Sequence, residues 1–307
     1  MVAFGGNALL RIGRDKSFHA QLENVELACE QIIPLIQHGY NVVIGHGNGP
    51  QVGNAMLRQE AGTSKYNIPA MPLDGCVAET QGSIAYLIET AMEKVLKRHG
   101  LHRNVISIIT RVQVRPDDPH FKEPTKPVGP YLTKEEAEKM HIITGDTYHE
   151  SSKGRGWRKV VPSPVPIAIN NIDIIEDLAR KGNIVIAIGG GGIPVMETHY
   201  GHKGVEAVID KDLASSLCAV QIHADEFYIL TDVPKVCLNY GKPDQKDIDE
   251  MTVAEAKRYL EEGQFASGSM GPKVSAGIFY MENGGKKFII SDAAEINDPN
   301  NGTRIVR

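Results

Sequence analysis

The chain has 307 residues, of which 41% are hydrophobic, 23% charged and only 6% aromatic, the make-up of an ordinary globular protein rather than a disordered, fibrous or membrane chain. Lysine plus arginine number 33 against 38 aspartates and glutamates, a formal charge of −5. The overall basic footprint of a nucleic-acid binder is therefore missing, and any anion must be met by a local cluster.

Short apolar runs followed by glycine-rich loops alternate with helical periodicity along the chain. Val2-Ala3-Phe4 leads into Gly5-Gly6-Asn7. Leu22, Val25, Cys29, Ile32, Ile33 and Ile36 recur at three- and four-residue steps, which predicts a helix stopped by Gly39. Val42-Val43-Ile44 leads into GHGNGPQVG, Gly45 to Gly53, and Ile84, Leu87, Ile88, Ala91, Val95 and Leu96 mark a second helix ending before Gly100. From about Pro116 to Pro166 the rhythm breaks. This stretch is polar, rich in proline and carries the only tryptophan, Trp157, as expected of an inserted, protruding subdomain or lid. Ile184 to Ile188 then leads into four glycines, Gly189 to Gly192, Leu213 to Val220 reads as a third helix, and Phe227 to Leu230 leads into Thr231-Asp232. Helices near Val253 to Leu260 and Val274 to Met281 and a strand at Phe288 to Ile290 complete the pattern. Aliphatic strands without polar alternation are covered on both faces. The expectation is an α/β fold, a three-layer α/β/α sandwich with a mostly parallel sheet, built as one domain over 1–307 with 116–166 inserted.

The four cysteines, Cys29, Cys76, Cys218 and Cys237, form no C-x-x-C pair and read as free, mostly buried thiols of a reducing compartment. No signal-peptide pattern or span of about 18 apolar residues is present, so a cytoplasmic protein is expected.

In an open parallel sheet ligands bind beyond the carboxyl ends of the strands, where all four loops lie. Gly5-Gly6-Asn7 and Gly47-Asn48-Gly49 can form anion nests, because glycine lets backbone amides approach phosphate oxygens. Lys273 follows Ser269-Met270-Gly271-Pro272, where Pro272 suits the first position of a helix, so helix N–H groups and an ammonium would face one anion. Lys211 stands beside Asp212 at another helix start in VIDKDLAS, a placement unfavourable against the dipole without an anion nearby. Lys126, between Thr125 and Pro127 in the insert, is a third cationic candidate. This inventory suits phosphoryl transfer, which is catalysed by positioning and charge neutralisation. A Walker A loop would need an adjacent GK where the chain has GPK, and GHGNGPQVG sets its third glycine one residue late for a dinucleotide fingerprint. His199 and His202, three apart, read as exposed loop residues rather than metal ligands.

The motifs AFGGNALL, GHGNGPQVGNA, TKPVGP, GRGWRKVVPSP, GGGGIPV, VIDKDLASS, ILTDV, GSMGPKV and GTRI, in that order over the whole chain, resemble the carbamate kinases of the amino-acid kinase family. The resemblance implies reversible phosphoryl transfer between ATP and carbamate with Mg²⁺, giving ADP and carbamoyl phosphate, in a cytoplasmic homodimer that makes ATP in arginine catabolism. It further implies that Gly5, Gly6, Asn7, Gly47, Asn48 and Gly49 cradle the phosphoryl group and carbamate. Lys126 would neutralise the small anion, Lys211 and Lys273 would bridge the phosphates, and Asp212 would orient them. Asp232, Tyr240, Met270 and Gly271 would line the nucleotide pocket. No metal-ligating side chain is implied. A kinase of the same fold with another acceptor, and a nucleotide-binding regulator without turnover, are the alternatives. Two departures stand out: the first strand begins at Met1 or Val2, which is expected to weaken the sheet beside Gly5, and Phe4 replaces a customary leucine.

Overall fold

The computed structural model describes residues 1–5, 17–150, 154, 156–266, 268–292 and 301–307. The chain opens with β1 (Val2–Phe4), α1 (Phe18–Gln37), β2 (Val43–His46), α2 (Gly49–Tyr66) and α3 (Leu73–Arg98). Next come β3 (Val105–Ser107), β4 (Arg111–Val114), β5 (Lys126–Leu132), α4 (Lys134–Thr144), β6 (Tyr148–Glu150), β7 (Trp157–Val161) and β8 (Pro166–Ile169). They are followed by α5 (Ile172–Arg180), β9 (Ile184–Ile186), β10 (Ile193–Thr198), β11 (Gly201–Gly204) and α6 (Lys211–Gln221). The remainder comprises β12 (Glu226–Thr231), β13 (Val236–Leu238), β14 (Lys246–Ile248), β15 (Glu250–Thr252), α7 (Val253–Glu261), α8 (Met270–Glu282), β16 (Lys287–Asp292) and β17 (Thr303–Val306).

Eight strands form the main sheet in the order β15-β17-β16-β12-β1-β2-β9-β3, all neighbours parallel except β16 and β17. Its alternating side chains divide the core. Val2, Phe4, Ile44 and Leu230 pack with Ile32 and Ile36 of α1 and Ile88 and Met92 of α3. Ala3, Val43, Val185 and Phe227 face the other way, onto Ile175 of α5, Leu217 of α6 and Val274 of α8. That is the expected three-layer sandwich, and it explains why the strands read as continuous apolar runs. Phe4 is fully enclosed.

Two parts were less visible in the sequence. β11-β10-β4-β8 make a second sheet, and β5-β7-β6 make a small third one, so the stretch from 116 to 166 holds more regular structure than its hydropathy predicts. Its strands carry mostly polar or half-exposed residues, which hides their period. The T-x-x-E pattern at α4 was the available signal, since Thr133 and Glu136 close a capping box and Gly145 ends the helix in the left-handed region. All four cysteines are free, and Cys29, Cys76 and Cys218 are buried.

The small sheet is seated by a backbone approach. A Cβ on Gly53 of α2 would lie 2.5 Å from Gly129 Cα of β5, so only glycine lets the two elements touch. Alanine for glycine inside a helix normally stabilises by about 0.5–1 kcal/mol. Here Gly53→Ala should instead destabilise by about 1–3 kcal/mol, the usual cost of forced overpacking. Urea unfolding reads the sign, and a raised midpoint would contradict the contact.

Candidate active site

The carboxyl ends of β12, β1, β2 and β9, adjacent in the main sheet, release Thr231-Asp232, Gly5, Gly47 and the glycine run after Ile188 on one edge. Beyond them lies a cavity of about 290 Å³, walled by Gly5, Gly47, Asn48 and Gly49 on one side and by Asp210, Lys211 and Asp212 on another. Lys126, Gly190, Thr231, Asp232, Gly268, Ser269 and Lys273 also reach it. A larger hollow, about 480 Å³, opens at the opposite strand ends around Tyr40, Glu176, Arg180 and Glu226. Its polar groups are already engaged, Arg180 with Glu176 and Tyr40 with Glu226, and no lysine lines it. The smaller cavity is the one that gathers the glycine loops and the lysines.

Three helix starts converge on that cavity. Asn48 precedes α2, and its side chain, instead of capping the helix, donates from Nδ2 to Thr80 Oγ1 of α3 at 2.9 Å. Gly190, at φ +65°, passes so close that a Cβ there would lie 2.6 Å from Asn48 Cγ, so the residue must be glycine on both conformational and steric grounds. α6 starts at Lys211 behind Asp210, whose carboxylate accepts from Asp212 N at 2.9 Å. α8 starts at Met270, two residues earlier than the sequence suggested, so Pro272 is not its first residue. It still lies in the first turn, where a missing N–H breaks no helical bond.

Asp212 is the centre of the arrangement. It is 3% exposed; Lys211 Nζ donates to its Oδ1 and Lys273 Nζ to its Oδ2 at 2.8 Å. Burial alone would raise its carboxyl, but the two ammonium groups overcome burial and hold it below the usual carboxylate range. Burial pushes Lys211 down to about 8 against the pull of Asp212, with Lys273 lowering it further. On Lys273 burial also lowers, yet the attraction of Asp212 wins and the group is raised. Two cations on one carboxylate leave one positive charge at the cavity wall. Lys126 Nζ, reaching in from β5, donates to Asp210 Oδ2 at 2.6 Å.

The amino acid kinase family model matches residues 1–292. A carbamate kinase of Thermococcus kodakarensis is 48% identical over 100% of this chain and 98% of its own length, and carbamate kinase 1 of Enterococcus faecium is 47% identical over 100% and 96%. The chain belongs to the amino acid kinase family, in its carbamate kinase branch. A solved carbamate kinase from Giardia lamblia bound to AMP-PNP superposes with a TM-score of 0.91 at 40% identity, over 99% of this chain and 97% of that one.

Of the residues the carbamate kinase motifs single out, the fold brings together Gly5, Gly47, Asn48, Gly49, Lys126, Lys211, Asp212, Asp232 and Lys273. Gly6 and Asn7 lie outside the described residues. Met270 and Gly271 open α8 beside the wall made by Gly268 and Ser269 without lining the cavity, and Tyr240, 68% exposed between β13 and β14, does not line it either. His199 and His202 sit on the exposed β10–β11 hairpin, and among the described residues no three His, Cys, Asp or Glu converge on a metal site. Sequence reading missed Asp210, although an aspartate directly before a helix is a strong capping signal.

The lowered Lys211 group sets a pH dependence. Below about 8 its ammonium is charged, and as pH rises past that value the cavity loses positive charge. ADP affinity, measured by calorimetry, should therefore fall about tenfold per pH unit above that point, and the decline should vanish in Lys211→Met. A flat profile to pH 9.5 would be inconsistent with so deeply buried an ammonium.

Proposed function

We propose that this chain transfers a phosphoryl group reversibly between ATP and carbamate, with ADP and carbamoyl phosphate as the other pair. The observation that carries the reading is the Lys211–Asp212–Lys273 cluster facing the glycine loops at the carboxyl edge of a parallel sheet. As a member of its family the chain is a phosphotransferase, and these residues suit such a reaction. Carbamate already bears an anionic oxygen, so no general base is needed. The barrier is the approach of two anions, and fixed positive charge in a site shielded from water lowers it.

In this mechanism Lys211 and Lys273, held at a set separation by Asp212, neutralise charge on the transferring group and on the nucleotide phosphates. Gly5 N and Gly47 N are spent on Leu230 O and Phe4 O at 3.0 and 3.2 Å, so the backbone amides of Asn48 and Gly49 bind the acceptor side, with Gly5 and Gly47 leaving room for it. Residues 116–166 act as a protruding lid on a single domain over 1–307, with Lys126 closing the site over the small anion. Asp212 is already committed to two ammonium groups, so a Mg²⁺ ion suits this site as a partner of the nucleotide phosphates, which is how Mg²⁺ is commonly held. When bound it supplies further charge neutralisation. Carbamoyl phosphate is a mixed anhydride and the stronger donor, which favours the ATP-forming direction, as in arginine breakdown. No helix among the described residues is long and apolar enough to cross a membrane, and a cytoplasmic homodimer is the working assembly.

The deciding measurement is ATP formation from Mg-ADP and carbamoyl phosphate in a coupled assay, with acetyl phosphate as control donor. Selective use of carbamoyl phosphate is expected, and no turnover with either donor would refute the proposal. Lys211→Ala and Lys273→Ala should each lower kcat by at least about a hundredfold, the low end for losing one transition-state contact. Near-normal turnover in both would remove those lysines from the reaction.

A further inference from the structure

We infer that Asp210 is a positioning residue that fixes the lysine of the small sheet against the helix carrying Lys211 and Asp212. The inference rests on the reading above that Lys126 acts on the small anion. Asp210 divides its two oxygens between two elements far apart in sequence. Oδ1 accepts from Asp212 N at 2.9 Å and Leu213 N at 3.4 Å, filling the open donors at the start of α6. Oδ2 accepts from Lys126 Nζ at 2.6 Å.

Lys126 is the first residue of β5, whose Gly129 rests on Gly53 of α2. The side chains of Lys126 and Asp210 are 30% and 14% exposed, so the pair is partly shielded from water. The carboxylate of Asp210 is also felt electrostatically by Lys211 and Lys273. One carboxylate thus sets the separation between Lys126 and the Lys211–Asp212–Lys273 cluster. A phosphoryl anion entering between them meets cations already in place on both sides. Without the Oδ2 contact the small sheet keeps its own ladder and the seat of Val128 against α2 and α3 but loses a tie to α6, and Lys126 is free to turn to solvent.

Asp210→Asn separates the two duties, because asparagine caps a helix as well as aspartate does while the charge-assisted bond to Lys126 is lost. The melting temperature should stay within about 2 °C of the parent, roughly the shift of a 1 kcal/mol change in a chain of this size. Hydrogen exchange of amides in 126–132 and 157–161 should accelerate at least about tenfold, with the core strands β1, β2 and β12 unchanged, as for a local opening. KM for carbamoyl phosphate should rise at least about fivefold more than KM for ADP. Lys126→Ala should reproduce both changes, and the double variant should be no worse than Lys126→Ala alone, the signature of residues acting as a pair. Unchanged exchange in Asp210→Asn, or effects that multiply in the double variant, would overturn the assignment. Accelerated exchange in a protein that uses no carbamoyl phosphate would leave the positioning role standing and defeat only the functional reading it was built on.

Discussion

A carboxylate withdrawn from water as completely as Asp212 stays ionised only while something nearby is positive, and here two ammonium groups occupy its two oxygens. Removing one partner of a buried ion pair typically costs about 3–5 kcal/mol, because the remaining charge is stranded. Much of the structure serves to make that arrangement possible. Lys211 and Lys273 come from two different helices, so α6 and α8 must lie side by side with their starts aligned. Ser216 Oγ of α6 donates to Ala276 O of α8 at 2.6 Å, and Tyr280 Oη of α8 donates to Ala224 O, just past the end of α6, at 2.6 Å. Those bonds and the shared apolar layer around Leu217 and Val274 hold the two helices in register.

The opposite wall is organised by buried polar groups rather than by charge. His46, 1% exposed at the end of β2, donates from Nδ1 to Gly47 O at 3.0 Å. Burial pushes its imidazole down to about 4, so the ring is neutral at ordinary pH and adds no charge to compete with the lysines. Gln81 of α3 donates from Nε2 to Gly189 O at 2.9 Å and Thr110 O at 3.0 Å, and Thr110 N donates back to its Oε1 at 2.8 Å. Loops with little side chain of their own are thereby held by side chains of α3. Loops fixed in this way need no reorganisation when a charged ligand arrives.

The layer structure was legible because its physical cause is local. Strands covered on both faces need uninterrupted aliphatic runs, and β1, β2, β9 and β12 have them; helices on a sheet need one apolar stripe, and α1 and α3 show it. The lysines were legible as candidates because each stands at an electrostatically odd place, a helix start or a proline-flanked turn. The small sheet was not, since its strands are polar and half-exposed, and the period that reveals a strand comes from burial they largely lack. Asp210 read only as part of a motif, yet it lines the cavity, whereas Tyr240, read as lining the nucleotide pocket, is not among the residues that wall it.

Residue order alone determined which groups could do chemistry and the kind of sheet that would carry them, because propensity, hydropathy period and glycine placement act over a few neighbours. Only the tertiary structure decided which charges meet. Lys126 and Asp210 are 84 positions apart, and Asp212 and Lys273 are 61 apart. No local pattern encodes such pairings, since they depend on how the helix starts and the small sheet are brought to one edge of the main sheet.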